Sequence, residues 1–223
     1  MKKFTVLLTT LMLVTLALFS LTAQAAESST TKVSTLAQIR AGAKAAGLPE
    51  QTAGANLPKV AVLYLNNAKT TYDNEVDQRV LSDLGKALPE TKYTLVDGDP
   101  YLAKLSKMGI ADLSTAERGD IVDAFKGEDV DYCLFIEVQP FVARDKVTFF
   151  TIGKDITAVV PFKIIDLANN KYFYNGKFTE KSSDSTVIGL IGNKSVALHA
   201  LSKIDKQMAT AIDEHLPTTR PAK

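Results

Sequence analysis

The side chains able to do chemistry are few, and their spacing argues against a shared site. His199 and His215 are the only histidines. Sixteen residues apart in one predicted helix, they would stand about 24 Å from each other, too far to hold one metal ion. The stretch "GLIGNKS", Gly189 to Ser195, precedes a helix and carries Gly, Lys and Ser. It departs from the phosphate-cradling pattern G-x-x-x-x-G-K-S/T in spacing and in the residue before Lys194, and reads as a connector. "DGDP", Asp97 to Pro100, sets two carboxylates at a strand-to-helix turn. It lacks the further oxygen ligands a calcium loop needs and reads as a turn with an N-cap. Asp120, Asp123 and Asp131 read as helix-surface and turn residues. No serine sits in a nucleophile-elbow pattern with a histidine partner. Cys133, the single cysteine, lies in the apolar run "VDYCLFIEV"; there it behaves as a small hydrophobe, and no internal disulfide is available. The chain is therefore read as non-enzymatic, with no cofactor and no metal site.

Stepping outward to the amino terminus, Lys2 and Lys3 precede the apolar stretch "FTVLLTTLMLVTLALFSL" and Ala23-Gln24-Ala25. That is the plan of an export signal cleaved after Ala25; an uncleaved anchor is the competing reading, because the apolar run nears the length of a spanning helix. No cysteine follows to accept a lipid. Cleavage would leave 24 basic against 25 acidic side chains, a balance that gives nucleic acid no electrostatic hold. A periplasmic or otherwise extracytoplasmic location follows, with no membrane span once the signal is removed.

Residues 26–58 are rich in Ala, Ser, Thr and Gly and read as a flexible linker. Within it Ser34 is placed to cap a short surface helix presenting Leu36 and Ile39 and ending at Gly47. Residues 59–216 form the folded domain, and 217–223 a disordered tail. "KVAVLYL" is a nearly continuous apolar run, the mark of a central strand covered on both faces. A helix follows, with Val76, Val80, Leu84 and Leu88 on one side and Asp73 as cap. "KYTLVDG" is a strand, and Asp99-Pro100 starts a helix bearing Leu102, Leu105 and Met108. Ser114 and Glu117 sit at capping-box spacing before Ile121, Val122 and Phe125. "VDYCLFIEVQPFV", "KVTFFTI", "DITAVVPFKIID" and "KYFYNGKFTEKSS" are strands, the last with a bend expected at Asn175-Gly176. Val196, Leu201, Ile204, Met208 and Ile212 mark a final helix. The order β-α-β-α-α-β-β-β-β-α predicts an α/β fold. It has a single mixed sheet with helices packed on it, an alternating front half, a meander behind and a C-terminal helix.

"KVAVLYLNN", "VDYCLFIEVQPF" and "VVPFKIIDLANNKYFYNGKFTEKSS", followed by an Ala-rich helix, resemble the CsgG-like envelope proteins. The amino-terminal domain of TolB and the lipoprotein activators of penicillin-binding proteins share that architecture. Ile164, Ile165, Asp166, Asn169 and Asn170 occupy the first part of the motif, and Ser182, Ser183 and Ser185 its end. The resemblance spans roughly residues 59–216. It implies a non-enzymatic envelope protein working through protein contacts, as an assembly or accessory component. The lipid-bearing cysteine and the long pore-forming insertions of the channel members are missing, which argues against a channel.

The apolar segments set between strands or before the last helix are the expected contact residues: Phe149, Phe150 and Ile152, with Ile188, Leu190 and Ile191. The partner is an envelope protein of unknown identity, or a second copy of the chain. Two rivals remain. A small-ligand module would line an apolar pocket with Tyr64, Tyr132 or Phe135; a hydrolase would cluster polar groups with strongly shifted pKa values.

Overall fold

The computed structural model describes residues 33–49, 56–110, 112–147, 152–186 and 192–221. The sheet is mixed and six-stranded. Its centre is β1 (Lys59–Asn66), which pairs in parallel with β2 (Thr94–Asp97) on one side and β3 (Tyr132–Val138) on the other. Both long apolar runs became these two neighbouring strands, and every residue of β3 is buried. Parallel strands need crossover connections, and helices supply them. α2 (Asp73–Ala87) leads to β2; α3 (Asp99–Lys107), a 3-10 turn (Leu113–Thr115) and α4 (Arg118–Ala124) lead to β3.

Beyond β3 the pairing turns antiparallel. β5 (Ile152–Asp166) and β6 (Lys171–Thr186) form a hairpin along nearly their whole length. β3 and β4 (Val142–Val147) share one edge of β5: β3 pairs with residues 162–166 and β4 with 152–157. Pro140 lies in the gap, where the Gln139 N–H donates to the Val159 carbonyl at 3.0 Å. The lack of an N–H on proline makes such a break its natural position.

One sheet face carries α2 and the long α5 (Asn193–His215), which bury Val76, Val80, Leu201, Ile204 and Met208 against Val62, Leu134, Val160 and Phe162. The opposite face carries α3 and α4 over Ala61, Leu63, Cys133, Phe135 and Ile165.

Five expectations need correction. The helix in the expected linker is neither frayed nor peripheral. α1 (Thr35–Ala45), capped by Ser34, buries Ile39 to 1% exposure against α2. The contact rests on small residues: a Cβ on Gly42 would lie 2.4 Å from Ser82 Cα, and one on Gly85 2.1 Å from the Ile39 carbonyl oxygen. Residues 217–221 are likewise tied down. The Tyr132 hydroxyl donates to the Thr219 carbonyl at 3.1 Å, and Arg220 pairs with Asp131 at 2.9 Å and Asp129 at 2.6 Å. The capping box lies one turn later than expected, between Glu117 and Asp120, because Ser114 is held by Asp112 in the preceding turn. Asp73 is the first residue of α2 rather than its cap, its carboxylate accepting from the Thr70 N–H and hydroxyl.

β6 also runs through Asn175-Gly176 without a bend. The irregularity falls at Phe173, where Tyr174 faces Ile164 and Tyr172 faces Ile165. A one-residue bulge switches the faces of the side chains beyond it. Phe173 and Tyr174 thus both reach the α5 side, while Tyr172 joins the other. Gly176 is required because a Cβ there would meet the Tyr174 ring at about 3 Å.

Candidate functional site

The expected contact residues Phe149, Phe150, Ile188, Leu190 and Ile191 lie outside the described residues. The backbone flanking them is well placed. Ile152 pairs with Val147 on one side and with Thr186 on the other. The strand ends leading into both apolar segments are therefore adjacent in one three-stranded ribbon of β4, β5 and β6. Its β4 margin stands out from the core: all six β4 residues are exposed, including Val142 at 50% and Val147 at 75%, while Ile156 of β5 is buried against Val196 and Ala197 of α5. The ribbon's surface is studded with paired charges, Lys154 with Asp145 and Lys181 with Asp155.

The sheet edges are poor docking strips by comparison. β2 is four residues long and β6 carries Lys171, Lys177 and Lys181. The Lys203 ammonium also occupies the Lys181 carbonyl at 3.2 Å. Short strands and lysines blunt an edge against pairing.

The structure brings together two polar constellations that the spacing did not reveal. In the first, Ser182 on β6 lies 3.1 Å from His199 Nδ1 on α5. Among the described residues no carboxylate bonds to His199, and Ser182 is only 3% exposed. A nucleophile needs an oriented base and access to substrate; this pair instead ties α5 to the sheet. The second constellation joins α2 to α5. The Arg79 guanidinium donates to Asp205 at 3.1 Å and to the Ser202 hydroxyl at 2.8 Å, and pairs with Asp83 at 3.2 Å. The Asp205 side chain is 2% exposed. Burial, reinforced by Asp83, pushes its carboxyl up to about 8. Burial also works on Asp83, but hydrogen bonds from Lys86 and Asp205 and the charge of Arg79 outweigh it and leave that carboxyl lowered. Two adjacent carboxyls cannot both ionise cheaply, so Asp205 keeps a proton and Asp83 the charge. An aspartate inside the stripe Leu201-Ile204-Asp205-Met208 was the available signal, since ionisable groups seldom enter a buried stripe without a partner.

The remaining sequence candidates take structural roles. Asp97 accepts the Asp99 N–H at 3.2 Å, and Asp99 accepts the Thr35 hydroxyl at 2.8 Å, fastening α1 to α3. Burial raises the Cys133 thiol far above its ordinary value. His215 lies with its ring 5.4 Å from that of Tyr174. No group of three or more His, Cys, Asp or Glu is arranged to hold a metal among the described residues. Tyr64, Tyr132 and Phe135 are buried in the core and line none of the surface cavities described. No described helix is long and apolar enough to cross a membrane.

No protein-family model and no curated relative matches the sequence. Solved structures of related shape include a hypothetical protein of Chlamydia trachomatis, at 12% identity and a TM-score of 0.45, over 71% of this chain and 96% of that one. A Neisseria meningitidis lipoprotein follows at 15% identity and a TM-score of 0.36, over 69% and 99%. The C-terminal domain of LpoB from Salmonella enterica is similar at 12% identity and a TM-score of 0.32, over 64% and 93%. TM-scores this low do not carry a function across.

Proposed function

We propose that this chain is an exported, non-enzymatic component of a cell envelope that acts through protein–protein contacts, as an assembly or accessory factor. The observation that carries the reading is the exposed strand β4 at the margin of the β4, β5 and β6 ribbon. β4 has no residue in the core and leaves isolated apolar side chains such as Val142 and Val147 in solvent, as a strand awaiting a partner would. The two apolar segments entered from the end of that ribbon, with Phe149, Phe150 and Ile152 and with Ile188, Leu190 and Ile191, supply the contact residues. Clustered apolar side chains beside a polar surface are the usual composition of a recognition patch. The export signal with cleavage after Ala25, the periplasmic or extracytoplasmic location and the CsgG-like and TolB-like pattern belong to the same reading. So do the bounds of the folded domain at 59–216, extended toward the amino terminus by α1.

The test is crosslinking in intact cells, with the tagged chain exported by its own amino-terminal segment and its partners identified by mass spectrometry. Reproducible capture of one or more envelope proteins, lost in the double variant Ile188→Asp, Ile191→Asp while thermal melting is unchanged, is the expected result. A monomer that captures nothing, or capture indifferent to the double variant, overturns the assignment.

A further inference from the structure

On the sheet face opposite α5, the helical layer stops short. α3 and α4 cover β1 and β3, and the neighbouring part of β5 and β6 is left open. At the step between them lies a cavity of about 370 Å³, walled by the 115–119 segment on one side and by Lys163, Asn170, Tyr172 and Asn175 on the other.

Its lining carries two cationic side chains, Arg118 and Lys163. The Arg118 guanidinium lies over the Tyr172 ring at 5.1 Å, and its Nε is buried with no hydrogen-bond partner. The Lys163 ammonium sits over the Phe135 ring at 4.8 Å and donates one hydrogen bond, to the Ala116 carbonyl at 3.1 Å. An ammonium has three donors, so two are left. Among the described residues neither cation forms an ion pair. Two acidic groups are near. Glu117 is on the rim with its carboxylate engaged in the capping box of α4, and Glu137, two residues along β3 from Phe135 and on the same sheet face as Lys163, is buried and accepts from the Asn67 amide at 2.8 Å. Burial lowers the Lys163 ammonium, and Glu137 and Glu117 only partly oppose it. Both cationic heads are fixed by aromatic rings, so little ordering would be needed for them to receive an anion.

We propose that this cavity is a recognition site for a carboxylate group, held between the Arg118 Nε–H and the free donors of Lys163, with the Asn175 amide at its mouth. It lies at the opposite end of β5 and β6 from the apolar segments and does not involve β4, so either assignment can fail without the other. A planar two-oxygen acceptor suits a guanidinium edge and an ammonium that line one cavity. The carboxylate would arrive on a free small acid or on an acidic segment of a protein.

The experiment is a titration of the full chain followed through the ¹⁵N resonance of Arg118 Nε, with succinate and a hexaglutamate peptide as probes and sodium chloride at matched ionic strength as reference. Saturable shifts with succinate place the site with free acids. Saturation by the peptide alone places it with a protein segment. Either supports the assignment, provided that Lys163→Met, which keeps the aliphatic stem over Phe135, weakens binding about tenfold or more. Arg118→Gln, read through the Asn175 side-chain amide, should do the same. Shifts no larger than those from sodium chloride, or saturation unaltered in a folded Lys163→Met chain, overturn it.

Discussion

The two ends of β5 make different bargains with solvent. At its C-terminal end, residues 162–166 pair with the wholly buried β3, and Phe162, Ile164 and Ile165 are closed in by helices from both sides. At its N-terminal end, residues 152–157 pair with β4, none of whose residues is buried. The same strand is covered on both faces at one end, while at the other only one face is covered, by α5 over Ile156. Stability should therefore be concentrated in the first region, and tolerance to sequence change in the second.

The sharpest break of that comparison is a pair of truncations. Leu134→Ala, at the centre of the covered half, should cost about 4 kcal/mol. Val147→Ser on the ribbon should cost less than about 0.5 kcal/mol. Urea melts of the two variants check this, and similar losses would mean that the ribbon is packed against something in the folded chain.

The second test concerns Asp205. Its carboxyl stays protonated in the fold up to about pH 8 but ionises near 4 once unfolded. The unfolded state thus gains by ionising as pH rises, and stability present below pH 4 declines between 4 and 8. Asp205→Asn removes the slope. It should raise stability at pH 8 by on the order of 3 kcal/mol, with the gap closing toward pH 4. A gap that does not change with pH would sink the shared-proton account.

A smaller effect tests whether α1 belongs with the covered half. Gly85→Ala drives a methyl into the Ile39 carbonyl and should cost about 2 kcal/mol. Amides of residues 35–45 should then exchange faster, and unchanged protection would contradict the close packing of α1 on α2. Smallest is the clasp of the C-terminal residues. Hydrogen bonds from Lys59 and then Arg220 hold Asp129 at about 2, so its contribution is present above pH 4 and fades as pH falls through 2. Arg220→Met should move the acid end of the pH–stability curve upward, and an unmoved curve would show the clasp to be idle.

What could be read from the chain follows the same division. The continuous apolar runs of β1 and β3 and the stripe of α5 announce themselves because burial on both faces, or along one, demands bulk at fixed intervals. The helix α1 is legible from Ser34, Leu36 and Ile39, but its burial is not, because Gly42, Ala43 and Gly85 bury surface by letting backbones approach, leaving Ile39 as its one large buried apolar side chain. The bulge at Phe173 hides behind an Asn-Gly pair that reads as a turn but serves the Tyr174 ring. Asp205, the Ser182–His199 contact and the Arg118–Lys163 cavity unite residues that are far apart in the chain, and no spacing rule links them.

The break at Pro140 makes β5 a beam with two supports. Up to Val159 its strand neighbours are β4 and β6, with α5 covering one face at Ile156; past that point β3 takes over from β4 and helices close both faces. Amide protons near Gly153 should be released by brief local openings, and those near Ile164 only when the whole domain comes apart. A partner that seizes the free end would slow the first exchange and leave the second untouched, so one strand carries both the signal and its internal reference.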